Sequence, residues 1–330
     1  MLLKTWRLFA VGFCTVAIAT GSPAQNSAPP RDAYPSKPLR LIVPFAPGGG
    51  SEVVRVVAQT ISSTTGQQIV IDNRGGAGGL IGAEMAARAV ADGYTLFLGG
   101  SGSHGTNPNL YRKLPYDPVA DFSPVTLIAS TPYILTSNPA LPVRSVKDLV
   151  ALVKAKPGQL RYSSAGNGST MHLTGEMFKS MAGVDIVHIP YKGGGPAMVA
   201  ILGNEVQIVF NPASVVGPNI KLGKLIALGV TSAHRYRLFP DVPTVAESGV
   251  PGFQVESWYG ILVPARTAQH AVQWINREFN KALQSPAVRE NYDIFGVEPI
   301  GTSPGQFADH IRSELAKWAN VVKVAGIRVD

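Results

Sequence analysis

The sequence predicts a mixed α/β fold made of two units, each a mostly parallel sheet flanked by helices. Three observations support this prediction: short apolar runs alternate with segments of helical periodicity, glycine-rich turns join each run to the next helix, and the pattern occurs twice. Strand, loop and helix in alternation are typical of parallel sheets, because parallel neighbours need a crossover connection. The 330 residues, 45% of them hydrophobic, suffice for two ordinary domains.

The elements of the first unit follow in order. They are a strand at 39–45, a helix at 52–64 with apolar residues at helical spacing, a strand at 68–72, an alanine-rich helix at 80–90 and a strand at 94–98. Glycine-rich turns, at 47–51 and 75–79, separate strand from helix in this unit.

The second unit repeats the pattern. Its predicted elements are a helix from Ser145 to before Pro157, a strand at 160–163, a helix at 172–181, a strand at 186–189, a helix at 197–202, and strands at 206–210 and 225–230. Two longer extended stretches lie between the units, at 122–138 and 255–263, and helices are predicted at 267–284 and 304–325. The stretch 122–138 is too long and too interrupted by proline for one ordinary strand. Long strands that link two lobes would form a hinge.

The N-terminal residues have the pattern of a secretory signal peptide. Lys4 and Arg7 precede an uncharged, mostly apolar run from Leu8 to Ala19, and Ser22-Pro23-Ala24 is a small-residue cleavage signal. The run is too short for a membrane anchor, which needs about 20 apolar residues. We expect export with cleavage near Ala24, which also removes Cys14, the only cysteine, and with it any disulfide or thiolate chemistry.

Charge and motifs exclude several classes of partner and cofactor. Loss of residues 1–24 leaves 27 basic against 21 acidic residues, a net charge of +6, and the basic residues are scattered. This distribution does not form a nucleic-acid-binding stripe, although it favours small anions. The glycine-rich turns fit neither a dinucleotide fingerprint nor a P-loop, and the six histidines lack metal-ligand spacing. We therefore predict no cofactor and no metal.

Polar and glycine-rich loops follow strand after strand. They lie at 47–51, 77–80, 101–106, 166–170 and 191–195. Ligands of open α/β sheets bind at the carboxyl ends of strands, and helix N-termini that converge there suit a small di- or tricarboxylate. The alternative for each loop is structural: a tight turn at 47–51, and a helix cap at Ser169 or Thr170.

An enzyme is the main competing interpretation. Ser103 lies in a sequence that approaches the nucleophile elbow of hydrolases, and Asp241 and His270 follow it in chain order. A serine hydrolase would need these three side chains together. His104 and His172 each adjoin a candidate loop, where a packing role is the simpler explanation.

The residues in these loops also carry a family resemblance. The segments that carry it are PFAPGGGSE (44–52), NRGGAGGLIGAE (73–84), DGYTLFLG (92–99), SAGNGSTMHLTGE (164–176), IPYKGGGPA (189–197), TSAHRYRLFPDVPTVAESGVPGF (231–253) and Trp258-Tyr-Gly. Together they resemble the substrate-binding proteins of tripartite tricarboxylate transporters, the Bug-type (Bordetella uptake) receptors. The resemblance runs over essentially the whole chain after the signal segment.

The resemblance implies a fold, a location and a partner. The fold is the two-lobed, type II periplasmic-binding-protein-like architecture, with lobe 1 formed by 25–128 plus 257–330, lobe 2 by 129–256, and two crossing strands between them. It implies a periplasmic, monomeric receptor that closes on a small organic carboxylate, delivers it to a two-subunit membrane permease and catalyses nothing. A receptor that signals to a membrane sensor kinase remains an alternative.

The resemblance also implies a set of ligand-binding residues, carried over by matching motif. They are Pro47, Gly48, Gly49, Gly50, Ser51, Gly78, Gly79, Ser101, Ser103, His104, Thr106, Asn167, Gly168, Ser169, Thr170, Tyr191, Lys192, Gly193, Gly194, Asn211 and Ser214. Trp258 and Tyr259 could add an apolar wall. The chain departs from the family at Glu52 and Asn211, where Asp is common. Because an acid near the cleft could pair with a substrate amine, Asn211 disfavours an amino-acid ligand.

Overall fold

The computed structural model describes residues 34–45, 50–76 and 79–326, with the backbone alone for Gly50 and Ser51. The predicted signal segment at 1–24 lies outside the described residues. So do Pro47, Gly48, Gly49 and Gly78 of the predicted ligand loops. Within the described ranges, no helix has both the length and the apolar character needed to cross a bilayer.

The described strands form one mixed sheet. They are β1 (Leu39–Val43), β2 (Ile69–Asn73), β3 (Thr95–Gly100), β4 (Phe122–Ser137), β5 (Arg161–Ser164), β6 (Val187–Pro190), β7 (Ile208–Pro212), β8 (Ile226–Val230), β9 (Glu256–Pro264) and β10 (Glu298–Pro299). Their order is β2-β1-β3-β9-β4-β7-β5-β6, with β8 and β10 also paired to β4. β1 to β3 are mutually parallel, as are β5 to β7. The two parallel groups are the two predicted units.

The helices fill the connections between these strands. They are α1 (Gly50–Thr65), α2 (Leu80–Ala87), α3 (Asn107–Leu110), α4 (Val146–Ala155), α5 (Thr170–Ala182), α6 (Gly194–Leu202), α7 (Ala213–Lys221), α8 (Gln269–Leu283), α9 (Pro286–Phe295) and α10 (Pro304–Ala325), with a π-helical turn at Gly102–Thr106. The periodicity missed α3, α7, α9 and the π-helical turn. α7 contains Pro218, and because proline usually breaks a helix, the sequence pattern did not indicate one there.

The segment 122–138 corrects one expectation, because most of it is a single strand. β4 runs for 16 residues and pairs first with β9 and then with β7 and β8. Its register against β9 shifts between Pro124 and Thr126 and again between Leu127 and Ala129. These irregularities accommodate the missing N–H of Pro124. Pro132 lies where the partner of β4 changes from β9 to β7 and β8. One long strand therefore links the two parts of the sheet.

Apolar side chains pack on both faces of the first parallel group. On one face, Val54 of α1 and Ile275 of α8 cover the sheet, and on the other, Phe307 of α10 packs with Trp258. Gly260 of β9 permits this second contact, since a Cβ there would lie 2.1 Å from the Phe307 ring. The glycine of the Trp258-Tyr-Gly motif is thus explained by close packing of a helix on the sheet.

A third apolar cluster surrounds the second parallel group and includes Trp318 of α10. The predicted lobe boundary between residues 128 and 129 falls inside β4, and the boundary between 256 and 257 falls at the first residue of β9. Those boundaries stay predictions.

Candidate functional site

The registers of the long strands bring two sets of strand ends toward each other. β9 runs antiparallel to both β3 and β4, and its Tyr259 pairs with Gly100 on one side and Ala129 on the other. β7 runs antiparallel to β4, and its last residue, Pro212, pairs with Tyr133. The carboxyl ends of β3 and β7 therefore point toward each other. Measured along β4 they are four residues apart, about 13 Å at the usual rise of a strand.

Helix N-termini collect at these facing strand ends. α1 and α2 begin after β1 and β2, which run parallel to β3, while α5, α6 and α7 begin after β5, β6 and β7. Each N-terminus presents unpaired N–H groups and the positive end of a helix dipole. Both parallel groups thus offer anion-binding groups to the space between them.

The loop before α5 is shaped by its own serine. The Ser169 hydroxyl accepts the N–H of His172 at 3.2 Å and donates to the carbonyl of Gly166 at 2.7 Å. This makes Ser169 the cap of α5. Gly168 has a φ of +75°, which glycine adopts without strain, and Asn167 is exposed. Asn167 is therefore the side chain that this loop leaves to solvent.

Hydroxyl-bearing side chains that the sequence did not single out lie where the two groups of strands meet. Tyr133 of β4 is buried, and its hydroxyl lies near the side chains of Thr170, the first residue of α5, and of Ser257 in β9. Ser257 also lies near the hydroxyl of Tyr259, whose ring meets Phe45 edge-on with centroids 6.1 Å apart. Burial raises the pKa of both tyrosines, so each hydroxyl keeps its proton. Tyr259 thus lies beside Phe45, which follows β1, and its role as an apolar wall stays a prediction.

Asn211, at the end of β7, is a predicted site residue with an unsatisfied polar atom. Its side chain is 1% exposed, and Nδ2 has no hydrogen-bond partner among the residues that the structure describes. A Cβ on Gly194, the first residue of α6, would lie 3.8 Å from the Asn211 Oδ1. The amide therefore lies close to the N-terminus of α6. Leaving a buried donor unpaired costs about 1–3 kcal/mol, which a carboxylate oxygen at this position would recover.

Ser214 is the second residue of α7, the helix that follows β7. Its side chain is exposed, and its backbone closely approaches Gly296, where a Cβ would lie 3.1 Å from the Ser214 Cα. Gly296 itself accepts a hydrogen bond of 2.8 Å from the buried Thr131 hydroxyl through its carbonyl. These contacts join α7 to the end of α9 beside the facing strand ends.

The loop before α6 can present its backbone and the cationic side chain of Lys192 to a ligand. Gly193 caps the helix with a φ of +110°, and Lys192 is exposed. The Tyr191 hydroxyl donates to Oε2 of Glu205 at 3.1 Å. Glu205 follows the C-terminal end of α6, so the hydroxyl points away from the helix N-terminus. The pKa of Tyr191 is raised by burial and by this carboxylate.

The serine hydroxyls of the turn after β3 form hydrogen bonds within the protein. Ser101 Oγ accepts the N–H of Trp258 at 2.8 Å, and Ser103 Oγ accepts the N–H of Gly100 at 3.2 Å. Ser101, Ser103 and Thr106 are all at least 95% buried. Trp258 is equally buried, so it belongs to the core. These side chains hold the π-helical turn in place at the strand end.

The ring of His104 lies in the core, contrary to its place in the predicted ligand set. It is fully buried and packs against Phe97, Tyr116 and Phe122. Burial lowers its pKa to about 3, so the ring is neutral at physiological pH. The ring is therefore not part of the proposed ligand set. Among the described residues, no three His, Cys, Asp or Glu side chains cluster as metal ligands would.

The loops of the first parallel group are described only in part. Gly50 and Ser51 form the first two residues of α1, and Gly79 caps α2 with a φ of +90°. A Cβ on Gly79 would lie 3.4 Å from the Cβ of Pro44, so the β2–α2 connection packs against the end of β1. Gly79 therefore lies beside the residue that follows β1.

The structure does not assemble the serine-hydrolase triad. His270 of α8 packs edge-on against Tyr34, whose hydroxyl donates to the carbonyl of Gly93, before β3 begins. Ser103 lies after β3 ends, so the six-residue strand, about 20 Å long, separates them. His104 is 3.0 Å from the Ser103 Oγ, but its low pKa makes it a poor general base near neutral pH.

Comparison with known proteins agrees with this geometry. Residues 53–327 match the family model described as "Tripartite tricarboxylate transporter family receptor". The chain is 39% identical over 325 residues to Protein BugT of Bordetella pertussis, an alignment that covers 98% of both chains.

Two solved structures of similar proteins contain carboxylates. R. palustris Rpa4515 with adipate is 38% identical, with a TM-score of 0.79, over 89% of this chain and 99% of that one. MatC (Rpa3494) from Rhodopseudomonas palustris with bound malate is 31% identical, with a TM-score of 0.75, over 88% of this chain and 100% of that one. These likenesses confirm the two-lobed, periplasmic-binding-protein-like fold class.

Proposed function

This chain belongs to the tripartite tricarboxylate transporter receptor family, and we propose that it captures a small organic carboxylate between two lobes and delivers it to a membrane permease. The relatives of known structure hold adipate and malate, both dicarboxylates. A ligand with an anionic group at each end suits a site that has anion-binding groups on two sides.

The observation that carries the proposal is the opposition of the two sets of strand ends. A carboxylate at the N-termini of α5, α6 and α7 would accept N–H groups there and the free Nδ2 hydrogen of Asn211. The opposite carboxylate would meet the N-termini of α1 and α2. Contacts made to both sides at once stabilise the closed form alone, because an open form offers only one set.

The proposed contacts come mainly from backbone and short polar side chains. On the lobe 2 side they are Asn167 to Thr170, Lys192 to Gly194, Asn211 and Ser214. On the lobe 1 side they are Pro47 to Ser51, Gly78, Gly79 and the backbone of the turn at 101–106. Tyr133 and Tyr259 stand behind them as hydroxyl donor and apolar wall.

The remaining parts of the proposal concern location and partners. The chain is exported, its signal segment is cleaved near Ala24, and it works as a monomer in the periplasm. Its membrane partner is a permease of two subunits. It catalyses no reaction, in keeping with the receptor family and with the separation of Ser103 from His270.

A thermal-shift screen tests the proposal. Purified protein, unfolded and refolded to remove any bound molecule, is melted with a panel of carboxylates that includes adipate and malate, with amino acids and sugars as controls. Ligand at 100 times Kd adds about 2.7 kcal/mol of stability, so Tm should rise by several degrees with carboxylates alone. No rise across the carboxylates would refute the proposal. Turnover of an ester that disappears in Ser103→Ala would favour the hydrolase instead.

A further inference from the structure

Two stacked imidazole rings lie beneath the loop at 164–170. His172 belongs to α5 and His188 to β6, and their centroids are 3.9 Å apart with the planes 12° from parallel. The ring of Tyr162 in β5 stacks on His188 as well, at 4.9 Å. Neither histidine is among the proposed ligand contacts.

The two rings hold the loop at two points. Nδ1 of His172 accepts the N–H of Gly168 at 3.1 Å, and Nε2 of His188 lies 2.7 Å from the hydroxyl of Ser164. Ser164 in turn accepts the N–H of Gly166 at 3.0 Å. The His188 ring thus supports Ser164 at the start of the loop. The His172 ring supports Gly168, just before the helix cap.

These contacts require a neutral His172 ring. Nδ1 can accept a hydrogen bond only while it carries no proton, and a protonated ring would turn an N–H toward the N–H of Gly168. A positively charged His172 ring would also have its centroid only 3.9 Å from that of the His188 ring. The pKa of His172 is lowered by burial, with Lys179 lowering it further and Glu176 acting in the opposite direction. The pKa of His188 is lowered to about 4 by burial, by His172 and by Lys179.

The nearby charges are already engaged with each other. Oε1 of Glu176 accepts the Tyr162 hydroxyl at 2.7 Å and the Lys179 ammonium at 2.9 Å. From α10, Lys317 lines the same groove as Glu176 and pairs with Glu314 on its own helix. Glu176 therefore has partners that compete with an imidazolium for its charge.

We infer that the stacked His172–His188 pair is a positioning element for the ligand loop, and that it holds residues 164–170 in the binding conformation only while His172 is neutral. The inference rests on the proposed function for its link to ligand binding. The hold on the loop itself belongs to the unliganded protein and can be measured there.

Three variants separate the hydrogen bond from the packing. His172→Phe keeps a ring to stack on His188 but has no acceptor. His172→Asn gives up the ring but can place its Oδ1 near the position of Nδ1. His310→Phe is the control, because His310 is also a partly buried histidine beside aromatic rings, on α10, and its buried Nε2 has no partner.

Amide hydrogen exchange of the unliganded protein gives the first readout. Protection factors for residues 165–170 are measured by mass spectrometry at pH 7, and the melting temperature of each variant checks that it folds. We expect exchange in this segment to be about tenfold faster in His172→Phe, the order set by losing one hydrogen bond, and close to wild type in His172→Asn and His310→Phe. Equal protection in wild type and His172→Phe, or equal loss in His172→Phe and His172→Asn, would overturn the inference.

The pH dependence gives a second readout that packing alone would not move. Protection in the wild type should fall as pH drops from 7 to 4, while His172→Phe should already be low and change little. A wild-type profile that stays flat over this range would count against the requirement for a neutral ring.

Calorimetric binding of adipate links the loop to function. If wild type binds adipate, His172→Phe should bind it about tenfold more weakly and His172→Asn nearly as well as wild type. An unchanged Kd in His172→Phe, despite faster exchange, would overturn the link to the ligand. If wild type binds no carboxylate, the proposed function fails, and the exchange results still decide whether the pair holds the loop.

Discussion

Asn211 and Asn138 form a pair in which the same substitution should have opposite effects. Both asparagines are buried, Asn211 within β7 and Asn138 directly after β4. Both polar atoms of the Asn138 side chain are hydrogen-bonded, because Nδ2 donates to the carbonyl of Ile201 at 2.7 Å and Oδ1 accepts the N–H of Ala140 at 2.9 Å. Asn211 keeps an Nδ2 without a partner. The first amide stabilises the fold, and the second is a proposed ligand contact.

Leucine has a similar shape to asparagine and no polar atoms, so it tests this difference. Asn138→Leu removes both side-chain hydrogen bonds, although the Ile201 carbonyl keeps the N–H of Asn204 and Ala140 is exposed, so it should destabilise the unliganded protein by about 1–2 kcal/mol. Asn211→Leu removes an unpaired donor and should raise the stability by about 1 kcal/mol, or about 2–4 °C in Tm. For the ligand the order reverses. Asn211→Leu loses a hydrogen bond to a carboxylate, about 1.5–3 kcal/mol, so Kd should rise about 10- to 150-fold.

Thermal unfolding without ligand and calorimetry with the best carboxylate from the screen measure the two effects. Asn211→Asp extends the series, since a second carboxylate at this position would repel an anionic ligand and weaken binding further. The reasoning is wrong if Asn211→Leu destabilises the unliganded protein as much as Asn138→Leu does. It is also wrong if Kd stays at the wild-type value in both Asn211 variants.

Two further predictions concern stability. Burial raises the pKa of Glu256, so its neutral form favours the folded state, and that stabilisation is lost as pH rises through the folded-state pKa. Glu256→Gln should therefore melt higher than wild type at pH 7 and lose the advantage near pH 4, whereas equal melting at pH 7 would contradict the burial argument. A Cβ on Gly175 would lie 2.3 Å from the buried ring of Tyr162, so Gly175→Ala should lower the free energy of unfolding by about 1–3 kcal/mol. Gly305→Ala in α10 meets nothing within 4 Å and should raise it by about 0.5–1 kcal/mol in urea titrations; equal effects in the two alanine variants would refute the steric argument.

Local pattern predicted most of the elements, because each periodicity reports a face that must be buried. The helix predicted at 304–325 is α10, and the strand predicted at 39–45 is β1 with two residues fewer. β4 was harder, because its length exceeds that of an ordinary strand and prolines interrupt it. A strand of this length is stable only because it pairs with β9 along its first part and with β7 and β8 along its last part, which no local pattern records.

Among the candidate site residues, the loops were predictable and the direction of their side chains was not. Glycine-rich turns after strands are visible in the sequence, so Asn167, Ser169 and Gly193 could be named. The sequence could not show that His104 faces the core or that the Tyr191 hydroxyl points along α6. Tyr133 was missed because a tyrosine within an apolar strand has no local signature of a polar contact.

The sequence by itself therefore determined the α/β class, the two repeated units and the family, since these depend on the order and spacing of residues along the chain. Only the tertiary structure decided which strand ends face each other, through the registers of β9 and β7 against β4. It also decided which buried polar groups are satisfied, as at Asn138, and which are free, as at Asn211. The physical reason is that hydrogen-bond partners and burial come from residues distant in the chain, so they exist only once the sheet has formed.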